Sequence, residues 1–168
     1  MSGLRQTFLE ELKDLYDAEK QLLKALPKMA EAAQDEELKA AFQTHQQETQ
    51  KQIERLEQVF KAFDEAPSAK KCKGMQGLIT EAEELMEEEE GDAALICAAQ
   101  KAEHYEIAAY GSLSAWAELL EEEDAAELLQ ETLEEEKAAD EKLTEIAETA
   151  VNVEESAEEA EEEPAEDR

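Results

Sequence analysis

Cysteine is nearly absent: Cys72 and Cys97 are the only two in 168 residues. They are too few and too far apart for a zinc motif or a disulfide framework, and a reducing cytoplasm is the expected compartment. Glycine and proline are scarce as well, five and three respectively. Little punctuates the chain, and Ala, Glu, Leu and Lys dominate, which points to long helices. No alternating β-branched run bounded by turn residues occurs. No apolar run reaches membrane-spanning length, and no basic-plus-apolar leader opens the sequence. The expected class is therefore all-α, with one domain and a tail.

Basic residues are also few. Sixteen Lys and Arg face 47 Asp and Glu, for a net charge of −31. Such a surface repels phosphates, which argues against nucleic acid and anionic membranes as partners. Glu supplies 39 of the 47 acids, so helix propensity explains part of the excess. A halophilic source explains the remainder if the melting temperature rises with salt; an acidic tail on an ordinary bacterial protein is the alternative.

Apolar rhythm divides the chain. Phe8, Leu12, Leu15, Glu19, Leu22, Leu26 and Met29 recur at alternating spacings of four and three, the stripe of a helix buried on one face. This first helix is expected from Ser2 to Ala32, with a kink before Pro27. Asp35 is placed to cap a second helix that carries Leu38, Phe42, Ile53, Leu56 and Phe60 to about Phe63. Asp64 to Gly77 reads as a connection, and a short helix follows through Leu78, Ile79 and Met86. Gly91 and Asp92 supply a stop and an N-cap. The third long helix carries Leu95, Ala99, Ala102, Leu113 and Trp116. The fourth starts near Asp124 and shows Leu129, Leu133 and Leu143. The bundle is expected over residues 1–150. An acidic tail too poor in apolar surface to fold is expected over 151–168.

Carboxylates interrupt the stripes. Glu19 and Glu106 sit between apolar seam residues, and Glu136 and Asp140 take two consecutive seam positions in the fourth long helix. A lone buried carboxylate is costly unless it is paired or holds a metal. His45 and Glu48, three apart, share one face of the second helix, with Gln52 almost directly below His45. Glu103 shares a face with Glu106. A helix bundle builds metal sites from inward carboxylates and imidazoles of this kind, and that donor set suits iron or manganese. The candidate ligands are Glu19, His45, Glu48, Glu103, Glu106, Glu136 and Asp140. Plainer readings stand beside them: Glu103 at the rim, Asp140 paired with Lys137, His45 as a packing group. His104 points about 160° away from Glu106 and reads as surface or interface. Tyr110, one turn beyond Glu106, is placed to hydrogen-bond a ligand carboxylate.

Four stretches carry a family likeness: Leu12-Lys-Asp-Leu-Tyr-Asp-Ala-Glu19, Thr44-His-Gln-Gln-Glu-Thr49, Gln52-Ile-Glu-Arg-Leu-Glu-Gln-Val-Phe60 and Glu103-His-Tyr-Glu-Ile-Ala-Ala-Tyr110. In this order they resemble the YciE/YciF stress-protein family over about residues 4 to 150. The resemblance implies a ferritin-like bundle related in fold to rubrerythrin, a homodimer, and a di-iron or di-manganese centre. It also implies a ferroxidase-like or peroxide-consuming activity with Fe(II), oxygen or peroxide as small substrates. By the same resemblance Glu19, the Glu103–Glu106 pair and Glu136 correspond to ligands of the first, third and fourth helices. Two departures stand out. The usual Glu-x-x-His is reversed as His45-x-x-Glu48, and Ala139 replaces the histidine expected three residues after Glu136. A site poorer in nitrogen binds metal more weakly, favours manganese, or is vestigial. No rubredoxin-like Cys-x-x-Cys is present, so a peroxidase cycle would draw on an outside reductant. The alternative function is a non-catalytic dimer acting in protein interaction.

Overall fold

The computed structural model describes residues 3–88, 91–153 and 155–157. Its elements are α1 (Leu4–Ala32), α2 (Glu36–Ala62), α3 (Lys73–Glu87), α4 (Asp92–Leu119) and α5 (Glu123–Ile146), with a π-helical turn, Ala147–Val151, closing α5. Among the described residues there is no strand. The long helices close a ring in which α1 packs on α2, α2 on α5, α5 on α4 and α4 on α1. The short α3 lies outside it, against α1 and α4. This is a ferritin-like four-helix bundle with one added helix, as the sequence predicts.

The apolar rhythm of α1 becomes the core: Phe8, Leu12, Leu15, Leu22, Leu26 and Met29 are all buried. Each such side chain contributes about 1.5–3 kcal/mol of burial. Phe8 stacks on Phe63 at 4.3 Å, which fixes the start of α1 against the end of α2. Pro27 neither ends α1 nor divides it, because the helix runs unbroken to Ala32. α3 begins at Lys73, earlier than the connection expected to Gly77. Gly74 permits its approach to α4, since a Cβ there would meet Tyr105 Cε2 at 2.6 Å.

Capping is shared between distant segments. Asp35 caps α2 as expected, accepting from Leu38 N at 2.8 Å. The N-cap of α4 is Gly91, with φ +89°, rather than Asp92. Asp92 turns its carboxylate to the α1–α2 turn, where it accepts from Gln34 N at 3.0 Å and Asp35 N at 2.6 Å. Glu155 supplies the acceptor that Asp92 withholds from its own helix, taking Ala93 N–H at 2.9 Å. Just past residue 150, Val151 is buried and Glu155 docks on α4. The expected tail beyond residue 157 lies outside the described residues.

Candidate metal centre

Each long helix sends an ionisable side chain to the ring's interior: Glu19 from α1, His45 from α2, Glu103 and Glu106 from α4, Glu136 from α5. All five are buried, and Glu19, Glu106 and Glu136 have no exposure at all. The three-residue spacing of Glu103 and Glu106 aims both inward from one face of α4. Buried alanines at 99, 102 and 109 leave them room. His45, Glu103, Glu106 and Glu136 each offer one ligand atom, and these atoms lie within 4.8 Å of one another. Glu19 lies beside Glu106 and accepts a hydrogen bond from the Tyr110 hydroxyl.

The imidazole is oriented by its surroundings. Its Nδ1 lies 3.4 Å from Glu48 Oε2, on the half-exposed side of α2. Its Nε2 lies 3.0 Å from Glu103 Oε1 and 3.5 Å from Glu136 Oε2. Neither of those inner contacts has hydrogen-bond alignment, so Nε2 counts as unpartnered despite its short distance to Glu103. Burial disfavours the imidazolium, but Glu103, Glu48 and Glu136 outweigh it and hold His45 well above its ordinary pKa. Burial likewise pushes Glu103 up, and the adjacent His45 charge more than reverses this, leaving it below the usual carboxylate range.

The remaining carboxyls stay protonated to higher pH. Burial, then the charges of Glu19, Glu136 and Glu103, push Glu106 well above the ordinary glutamate value. Burial and Glu103 do the same to Glu136, against the opposing pull of His45. Glu19 is pushed up to about 7 by burial, with the Tyr110 hydrogen bond opposing. Without a cation, burial and the neighbouring charges favour a His45–Glu103 ion pair beside acids that keep their protons to higher pH than usual.

The donor set fits a metal on a structural ground. Among the described residues, the buried side-chain atoms lacking a hydrogen-bond partner are Glu19 Oε2, His45 Nε2, Gln52 Oε1, Glu103 Oε2 and both oxygens of Glu106 and Glu136. Buried polar atoms are normally satisfied, and an unpaired one costs about 1–3 kcal/mol. All but one of these orphans belong to the five clustered residues. Four carboxylates and one imidazole, once deprotonated, carry the charge that two divalent cations would neutralise. This oxygen-rich set with a single nitrogen suits iron or manganese rather than a thiophilic metal.

Two predicted ligands lie elsewhere. Asp140 accepts from Gln100 at 3.2 Å and sits 3.3 Å from His104 Nε2, on the α4–α5 surface. Four residues after Glu136, it is turned about 40° further round the helix, enough to leave the interior. Lys137, its expected alternative partner, pairs with Glu134 instead. Glu48 touches the cluster only through His45 Nδ1. His104 is exposed, as expected. Thr49 and Gln52 extend the polar seam of α2: Thr49 donates to the His45 carbonyl at 2.8 Å, and Gln52 Nε2 donates to Glu135 at 3.1 Å. Thr49 was not predicted, although it breaks the apolar rhythm of α2 as Glu19 breaks that of α1.

Comparison with known proteins follows the same outline. Residues 3–156 match the family model described as "Domain of unknown function (DUF892)". Protein YciF of Escherichia coli (strain K12) is 50% identical over 157 residues, spanning 90% of this chain and 95% of that protein. The crystal structure of the E. coli stress protein YciF superposes with a TM-score of 0.85 at 51% identity, covering 88% of this chain and 96% of the other. YcfI of Rhodopseudomonas palustris, provisionally described as a structural protein, superposes with a TM-score of 0.82 at 47% identity, covering 85% and 94%.

Proposed function

The chain belongs to the DUF892 family and is similar to YciF over most of its length, and from that premise we propose that it is a stress-response protein with a non-haem di-metal centre. The metal is iron, or alternatively manganese, and the activity is ferroxidase-like or peroxide-consuming. The observation that carries this reading is the set of partnerless buried oxygens and one imidazole nitrogen converging from α2, α4 and α5, with Glu19 of α1 beside them. Bound there, such a metal pair would exchange electrons with Fe(II), oxygen or peroxide.

The residues divide the work. Glu106 and Glu136 have both carboxylate oxygens free of partners, which makes them the bridging candidates. Glu19, His45 and Glu103 each keep one orphaned atom and are the terminal candidates. Glu48, at His45 Nδ1, favours the tautomer that leaves Nε2 for a metal. Tyr110 orients Glu19 through its donated hydrogen bond. Loading displaces the protons held by Glu106, Glu136 and His45, so affinity rises with pH.

Metal analysis of protein purified without chelator, with Fe(II) oxidation rates for wild type and Glu106→Ala, tests this reading. The variant should lose both metal and rate; unchanged values in both would refute it. A second reading, a homodimer acting in protein interaction with a metal-free site, is favoured by one observation. Ala139 gives α5 no nitrogen donor, and the acids can persist neutral without a cation. Under that reading Mn(II) leaves the melting temperature unmoved.

A further inference from the structure

The ring of long helices is not sealed over the cluster. Between α2 and α5 a cavity of about 370 Å³ opens to solvent and reaches inward to His45 and Glu103. Its walls are small and apolar: Ala40, Ala41 and Phe42 on α2 face Ala138, Ala139 and Leu143 on α5. Two bridges between the same helices bound it. At one end Lys142 reaches Glu37; at the other Glu135 is held by Arg55 at 2.7 Å and Gln52 at 3.1 Å. The opening is thus set by alanines on both facing helices. The side chains of His45 and Glu103, both almost wholly buried, stand at its inner end.

Size and chemistry narrow the occupant. A water-sized molecule such as dioxygen or hydrogen peroxide needs roughly 30 Å³, and an apolar cavity of roughly 150 Å³ already holds benzene. The space is therefore far larger than those oxidants require. At the rim Lys142 pairs with Glu37 and Arg55 with Glu135, which leaves Glu48 in excess, and the chain as a whole carries −31. Anionic molecules such as fatty acids are repelled from such a mouth. A neutral molecule is not, and the apolar walls reward an apolar body.

We propose that this cavity binds one uncharged organic molecule with an apolar body and a single protic head directed at His45 and Glu103, of the class of an aryl or alkyl hydroperoxide or alcohol. The inference rests on the metal-centre reading for its significance: the peroxide admitted beside the cluster is organic rather than only hydrogen peroxide. Binding itself needs no metal.

The probe is 2-phenyl-2-propanol, titrated calorimetrically into the chelator-treated full chain. One-to-one saturable binding is expected, with none for benzoate, which carries a ring of similar size and a negative charge. Ala139→Phe and Ala41→Phe, which fill the cavity from opposite walls, should each weaken binding about tenfold or more. Nuclear Overhauser contacts from the bound ring to the Ala41 and Ala139 methyls are expected in the wild type and decide the location without any variant. No saturable binding, contacts elsewhere, or unweakened binding in folded filled variants overturns the proposal, including the case where a second copy of the chain covers the groove. Mn(II) binding measured in parallel separates the two readings. Probe bound without Mn(II) sinks the metal centre alone, whereas Mn(II) bound without probe sinks this site alone.

Discussion

Glu19→Gln is the most informative single change to the metal-free protein. In the wild type Glu19 is fully buried, accepts from Tyr110, and holds its proton up to about pH 7 instead of the ordinary 4.5. Because its folded-state value is the higher one, the folded state takes up the proton more readily than the unfolded chain. Its contribution to stability is then complete below pH 4.5 and is lost as pH rises to 7. Two and a half units at 1.36 kcal/mol each make about 3 kcal/mol for this group titrating alone. Gln keeps the shape, and its carbonyl can still accept from Tyr110, but it has no proton to lose. The variant should match the wild type near pH 4.5 and exceed it by about 3 kcal/mol at pH 8, or about 6–12 °C in melting temperature at this chain length. Thermal melts across pH 4.5–8 in the presence of chelator measure the difference, which cancels the repulsion among surface acids common to both proteins. Saturating Mn(II) should reverse the ranking at pH 8, since only the wild type offers the full ligand set. A difference that does not change with pH would refute the buried-proton account.

Three further outcomes follow from the geometry. Ala139→His restores a nitrogen donor three residues after Glu136 and should tighten Mn(II) binding by about tenfold or more, read by calorimetry; unchanged affinity would show that position 139 does not reach the cluster. Asp140→Asn should leave metal content and affinity unaltered, because Asp140 meets Gln100 and His104 rather than the cluster. Asp92→Ala removes the carboxylate that holds the amides of Gln34 and Asp35, costing about 2 kcal/mol, or about 4–8 °C; an unchanged melt would dismiss the shared-cap account.

Much of the site was legible because a buried charge disturbs a periodic pattern. Glu19 and Glu106 break leucine and alanine stripes, and both proved fully buried. His45, Glu103 and Glu136 followed by helical spacing and by resemblance, and the structure brings them together. Asp140 shows where periodicity fails: a residue four along is only about 40° round, and whether it stays inside depends on which neighbour helix offers it partners. Asp92 and Glu155 show the other limit. A capping residue beside its helix is a local pattern, but Asp92 serves the α1–α2 turn while Glu155 serves α4, and chain distance hides both. Pro27 lies inside α1, which runs on to Ala32: the proline removes one backbone hydrogen bond, and the buried Leu26 and Met29 on either side hold the helix in the core.

The central claim is that five side chains from four helices hold metal. Anomalous scattering at the iron edge, from crystals grown with Fe(II) in excess, tests it most directly. The account predicts peaks enclosed by Glu19, His45, Glu103, Glu106 and Glu136 in the wild type, and their loss in Glu106→Ala. A wild-type map with no peak among those residues would contradict it.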